Sequence, residues 1–130
     1  MTDIDVSSPD ISSPADGSGI DKMRDCPVMT TVEVIGGRWK PRILWHLRAG
    51  DAGFGELQRA TAASERMLSR SLRELEIDGV VTRTVVPVGK VITSQYAISD
   101  YGRRLVPVLD AMGEWGLQHQ RRNGPHEPDH

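Results

Sequence analysis

Three arginines and a serine, Arg66, Ser69, Arg70 and Arg73, recur at i, i+3, i+4, i+7 within residues 64–79. At about 100° per residue this spacing sets all four on one side of a helix and Leu68, Leu72 and Leu75 on the other. Guanidinium groups carry planar forks of N–H donors that match phosphate oxygens and the O6/N7 edge of guanine, so the outer face is suited to a nucleic acid. The acids Glu74, Glu76 and Asp78 gather in the last turns. The first turns are left to arginines and small hydroxyls, so the N-terminal half is the part that can enter a DNA groove. An ordinary solvated helix face is the competing reading of this segment alone.

The ends of that helix are written in the sequence. Ser64 can cap its first free N–H groups, and Gly79 can take the left-handed residue past its last turn. Before it, residues 54–60 begin a short helix whose Phe54 and Leu57 can pack inward, and Thr61-Ala-Ala leads into Ser64. A short helix, a tight connection and a basic-faced helix in that order make a helix-turn-helix. After it, residues 80–86 and 91–99 are β-branched and partly alternating, and Pro87, Gly89 and Lys90 lie between them. This reads as a two-stranded hairpin, the wing of a winged helix. Arg83 and Lys90 are its cations; Lys90, near the tip, can reach a phosphate or the minor groove, or it is a plain surface lysine.

The remaining elements frame this unit. Cys26-Pro27 opens a short first helix that Gly36-Gly37 ends, and residues 38–41 open a second with Ile43, Leu44 and Leu47 as its apolar stripe. Trp39 and Trp45 read as core or interface groups, His46 as an ordinary helix residue, and residues 51–53 as a turn. From residues 99–100 a long helix runs to about Arg122, carrying Leu105, Val108, Leu109, Met112, Trp115 and Leu117. Pro107 lies inside it and predicts a kink. The apolar stripe exceeds what a small wing domain needs for its own core, so a second copy of the chain is the natural partner, met through the long and the first helix.

Composition sets the limits. At 130 residues there is room for one domain, and with aromatics at 5% its core must rest on aliphatic side chains. A net charge of −2 argues against a nucleic-acid binder until its distribution is seen. Residues 1–25 hold six acids and two bases, whereas residues 26–122 hold 14 Lys or Arg against 10 Asp or Glu. The tails are acidic and the body is basic. We expect three segments: an acidic tail without fixed structure over 1–23, a winged helix-turn-helix domain over 24–122, and a flexible tail over 123–130. No apolar run approaches a membrane helix and no signal peptide is visible, which predicts a cytoplasmic protein without membrane contact. A single cysteine, Cys26, rules out an internal disulfide and a cysteine-based zinc site. His119, His126 and His130 are at best a weak metal signal, so no metal and no cofactor is expected. An enzyme using Cys26 as nucleophile has no His or carboxylate in recognisable relation to it and no Gly-rich phosphate loop, so no catalytic role is expected.

Several blocks together carry a resemblance: Cys26-Pro27, Val34-Ile-Gly-Gly-Arg-Trp-Lys, Phe54-Gly-Glu-Leu, Met67-Leu-Ser-Arg-Ser-Leu-Arg-Glu-Leu, Asp78-Gly79, Tyr96, Tyr101-Gly102, and residues 109–115. In this order they resemble the HxlR-type winged helix-turn-helix regulators of bacteria, over about residues 24–118. The resemblance implies an α+β fold, mainly helical with a small hairpin, whose terminal helices form a dimer interface. It implies a homodimeric transcriptional regulator, read here as a repressor, that binds a palindromic operator in double-stranded DNA. Arg66, Met67, Ser69, Arg70 and Arg73 would then face the major groove, with Lys40, Ser64, Arg83 and Lys90 on the backbone. Pro107 also fits, since members often carry a proline there. The hairpin tip departs from the commoner, more proline-rich form, and Ile77 stands on the outer side of the reading helix where a small or polar residue is expected.

The resemblance also suggests that Cys26 senses an oxidant or electrophile. A thiol at a helix N-terminus meets the positive end of the dipole, with Lys22 and Arg24 nearby and Asp21 and Asp25 opposing them. The alternative is a small buried cysteine without a sensing role. For the whole chain the alternative is a winged-helix protein-interaction module that docks protein on the same helix without reading DNA.

Overall fold

The computed structural model describes residues 26–124. The expectations for the 1–23 tail, for Asp21, Lys22, Arg24 and Asp25, for the 123–130 tail beyond Gly124, and for His126 and His130 lie outside the described residues. The chain divides after Gly37 into two units. Helix α1 (Pro27–Ile35) lies in the first unit. Pro27 occupies its first turn, where a missing N–H costs nothing, and Cys26 is its N-cap residue in extended backbone. Gly36 follows its end, and Gly37 takes φ +92°, a region open to glycine.

The second unit runs α2 (Lys40–Leu47), β1 (Ala52–Gly53), α3 (Phe54–Thr61), α4 (Glu65–Ile77), β2 (Val81–Val88), β3 (Val91–Ile98), a 3-10 turn (Gly102–Leu105) and α5 (Val106–Arg122). Its core is aliphatic, as the composition requires. Ile43, Leu44 and Leu47 of α2, Leu57 of α3, Leu68, Leu72 and Leu75 of α4, and Val80 are all buried to 2% exposure or less. Val81, Tyr96 and Ile98 close this core from the sheet and Leu109 from α5. Phe54 is half-buried beside the fully buried Leu57.

Trp45 is 41% exposed but is not idle. Its ring lies against α5 at Gly113, where an added Cβ would stand 2.5 Å from Cη2. Arg48 covers the ring at 3.4 Å from its centroid and donates to Asp110 of α5 at 3.0 Å. Trp39 is half-buried, with Arg38 and Arg42 against its ring at 5.1 and 5.4 Å. His46 has a partner the sequence did not suggest, Glu56 of α3 at 2.9 Å.

Three expectations are corrected. The sheet has three strands in the order β1-β3-β2, because residues 52–53, read as turn, pair antiparallel with Tyr96 and Gln95. Two residues are too few to show alternation, so only the partner strand reveals them. The hairpin turn is also tighter than the Pro-Gly content suggests. Val88 pairs with Val91, so the loop is Gly89-Lys90 alone, with positive φ at Gly89 and not at Lys90, the type II′ pattern. Pro87 belongs to β2 and is tolerated there because β2 is an outer strand.

The third correction concerns the last helix. No kinked helix starts at residues 99–100; a 3-10 turn comes first, and Pro107 sits in the first turn of α5, where its absent N–H has no helical acceptor to lose. Ser99 organises the junction. Its hydroxyl donates to the Gly79 carbonyl at 2.6 Å and accepts from the Gly102 N–H at 2.9 Å, while its own N–H donates to the Val80 carbonyl at 3.0 Å. The end of α4, the end of β3 and the start of the 3-10 turn are thereby fastened at one residue.

Candidate nucleic-acid interface

Helix α4 begins and ends as its sequence requires. The Ser64 hydroxyl accepts from the Met67 N–H at 3.1 Å, and an accepting hydroxyl keeps its own proton to donate outward. At the other end Val80 N–H reaches the Leu75 carbonyl at 3.1 Å and Gly79 N–H the Glu76 carbonyl at 2.9 Å, with Gly79 at φ +80°. These two bonds form a Schellman motif, which fixes where the helix stops and the wing starts. Between the caps, Leu68, Leu72 and Leu75 are buried, and Arg66, Ser69, Arg70 and Arg73 are exposed. Met67 is half-buried at the edge of that face.

The connection from α3 to α4 takes only residues 62–64. Ala62 adopts φ +62°, a left-handed conformation, and ends α3; Ala63 is buried. The buried Thr61 hydroxyl donates to the Leu57 carbonyl at 2.8 Å and accepts from the Ala63 N–H at 3.3 Å, so no polar atom of that side chain is stranded. This tight turn sets α4 across α3 with its arginine face outward.

The hairpin extends the same face. An open groove of about 770 Å³ is lined by Ser69, Arg70, Arg73, Glu76 and Ile77 of α4, Arg83 of β2 and Tyr96 of β3. Arg83 is exposed, and its Nε donates to the Ser94 hydroxyl at 2.9 Å, which holds the side chain along the strand. Arg83 and Tyr96 are paired positions of the two strands, so they share a face. Ile77 stays 73% exposed at the end of the groove; the turn back toward the body does not cover it. Lys90 is exposed in the hairpin turn, outside this lining.

Lys40 stands differently from the other sequence-selected cations. Its ammonium meets Glu74 Oε1 at 3.0 Å with only 16% of its side chain exposed, and Glu74 Oε2 meets Arg70 Nε at 3.4 Å. The Lys40 hydrogen bond and then its charge hold the Glu74 carboxyl below its ordinary pKa; desolvation opposes them, and Arg70 adds a smaller lowering through its own hydrogen bond and charge. By its place in the sequence Glu74 is one of several acids in the last turns of the helix. Its i, i+4 spacing from Arg70 was legible, but the bridge to Lys40 joins residues 34 apart and exists only in three dimensions. Arg38 and Arg42 were also passed over; both are exposed beside Trp39. Cys26 is half-buried at the start of α1. Among the described residues no cluster of His, Cys, Asp or Glu is arranged to hold a metal ion, and no helix is long and apolar enough to cross a membrane.

A helix-turn-helix whose second helix presents arginines, followed directly by a hairpin that prolongs the same face, defines a winged helix-turn-helix protein. Residues 34–124 match the HxlR-like helix-turn-helix family. The chain is 42% identical over 106 residues to the uncharacterized HTH-type transcriptional regulator YdeP of Bacillus subtilis (strain 168), covering 78% of this chain and 80% of YdeP. The crystal structure of a putative HTH-type transcriptional regulator, ytcD, is similar to it with a TM-score of 0.68 and 41% identity, over 74% of this chain and 98% of ytcD. The redox regulator HypR in its reduced form is similar with a TM-score of 0.68 and 38% identity, over 74% of this chain and 94% of HypR. The chain therefore belongs to the HxlR-type family of DNA-binding, winged helix-turn-helix transcriptional regulators.

Proposed function

We propose that the chain is a cytoplasmic repressor that binds a palindromic operator as a homodimer, with residues 24–122 as its working domain. Helix α4 enters the major groove, where Arg66, Ser69, Arg70 and Arg73 meet base edges and phosphates and Met67 lies against the groove wall. Ser64, Arg83 and Lys90 hold the flanking backbone. Lys40 acts from behind, through Glu74. The observation that carries this reading is the exposed row of Arg66, Ser69, Arg70 and Arg73 on α4, prolonged by Arg83 across the groove.

Two copies are needed to read both halves of a palindrome, and the exposed apolar residues offer the means. On α5, Val108, Met112, Trp115 and Leu117 remain open to solvent; on α1, Val28 and Val32 do. Pairing of these surfaces between two chains sets two α4 helices about one duplex turn apart. The test is selection of duplexes from a random pool, followed by anisotropy titration at several salt concentrations. A palindromic consensus and a steep fall in affinity with salt support the reading. A flat salt response without sequence preference favours a protein-docking module instead.

The same proposal gives Cys26 a switching role. Its place at the head of α1 and the similarity to a redox regulator support this. Oxidation or alkylation of Cys26 changes packing at the proposed dimer contact and so the spacing of the two reading helices. Diamide or a quinone should release DNA from the native chain and leave Cys26→Ser bound. Equal behaviour of both proteins would remove the switch and leave the regulator.

A further inference from the structure

Glu74 stands among the arginines of α4, where an acid repels phosphates and should weaken binding to any duplex. Its carboxylate, however, is divided between two cations of different freedom. Oε1 is held by Lys40 of α2 at 3.0 Å, and Oε2 lies 3.4 Å from Nε of Arg70. The Lys40 side chain is 16% exposed and that of Arg70 71% exposed. One end of the chain of contacts is thus embedded in the scaffold and the other reaches into solvent.

The chemistry of the guanidinium gives this arrangement a consequence. An arginine presents five N–H donors in a fixed fork, along either its Nε side or its terminal edge. A contact at Nε occupies the first and leaves the two terminal nitrogens for a partner with two parallel acceptors, the pattern that guanine offers in the major groove. A side chain held at Nε also has fewer rotamers to lose on binding. We infer that Glu74, anchored by Lys40, is a positioning residue that aims the terminal guanidinium edge of Arg70 at a guanine, and so raises base discrimination at the expense of general DNA affinity. This rests on the proposed role of Arg70 as a base contact.

The test compares native protein, Glu74→Gln, Lys40→Gln, Arg70→Ala and the Arg70→Ala/Glu74→Gln pair. Anisotropy is read on the duplex that the native chain selects from a random pool, on every single-base-pair replacement of it, and on a scrambled duplex. Glu74→Gln should bind the scrambled duplex at least as tightly as native protein, while the ratio of selected to scrambled affinity falls roughly tenfold. The lost discrimination should fall at the base pair where Arg70→Ala loses it, and the double variant should lose no more than Arg70→Ala. Lys40→Gln should show the same pattern in weaker form, with circular dichroism melts separating any loss of fold.

Equal changes on all duplexes, or a loss spread evenly over all base pairs, would overturn the inference, because Glu74 would then act as bulk charge or as a structural brace. Failure of the native chain to select any sequence would overturn the DNA reading and this inference with it, whereas an Arg70→Ala protein that selects the same sequence would overturn the base contact of Arg70 and this inference while leaving the DNA reading standing.

Discussion

Ala62 holds a left-handed backbone at φ +62° so that α3 can end and α4 begin within residues 62–64. An L-residue with a Cβ is strained there and glycine is not. Ala62→Gly should therefore stabilise the fold by about 1 kcal/mol, read as a higher urea midpoint with unchanged m-value; a lower midpoint would mean that the turn is not strained. Glu74 makes a second prediction at this scale. Its carboxyl pKa is lowered in the folded chain by Lys40 first and Arg70 after it, so its contribution to stability is present above the ordinary glutamate pKa and lost as pH falls through the lowered one. The difference in denaturant midpoint between native protein and Glu74→Gln should be constant at neutral pH and vanish in acid. A difference that persists at low pH would assign the effect to packing instead.

At the scale of the element, α4 is held by three leucines on its inner face and by caps at both ends. Leu72 is 1% exposed and lies between Leu68 and Leu75, both fully buried. Leu72→Ala should cost about 2–5 kcal/mol by chemical denaturation, and operator affinity should fall only as far as the folded fraction does. The 3-10 turn before α5 depends on Gly102, where an added Cβ would collide with the Val80 carbonyl and crowd Ile98. Gly102→Ala should destabilise by on the order of 1–3 kcal/mol. A variant as stable as the native chain would show that the turn can shift away from β3 at no cost.

For the whole molecule, the proposed homodimer is what turns one reading helix into two. Trp115 is 65% exposed on α5 and stacks on His119 with ring centroids 4.9 Å apart, so a large aromatic surface is spent on its own helix unless another chain covers it. Trp115→Glu should produce monomer in sedimentation at concentrations where the native chain is dimeric. It should weaken operator binding far more than half-site binding, and an unaltered sedimentation profile would remove α5 from the interface. Salt provides the companion measurement: each phosphate contact contributes about −0.9 to the slope of log affinity against log salt. Arg83→Ala should flatten that slope by about one unit per site without changing which sequence is selected.

Local order along the chain was enough to determine much of this protein. The capped α4 with its leucine and arginine faces, the short helix before it, the β-branched hairpin after it and the order of the family motifs all depend on residues a few positions apart, which periodicity and capping report directly. The strand at residues 52–53, the packing of Trp45 on Gly113, the bond of His46 to Glu56 and the reach of Lys40 to Glu74 were decided only by tertiary structure. Each joins residues of different elements, ten to 68 positions apart, and no periodicity encodes such a partner. Pro107 lies between the two: its effect was legible, but whether it bends a helix or begins one depends on where the preceding turn is fastened, and Ser99 fastens it through the chain ends of α4 and β3.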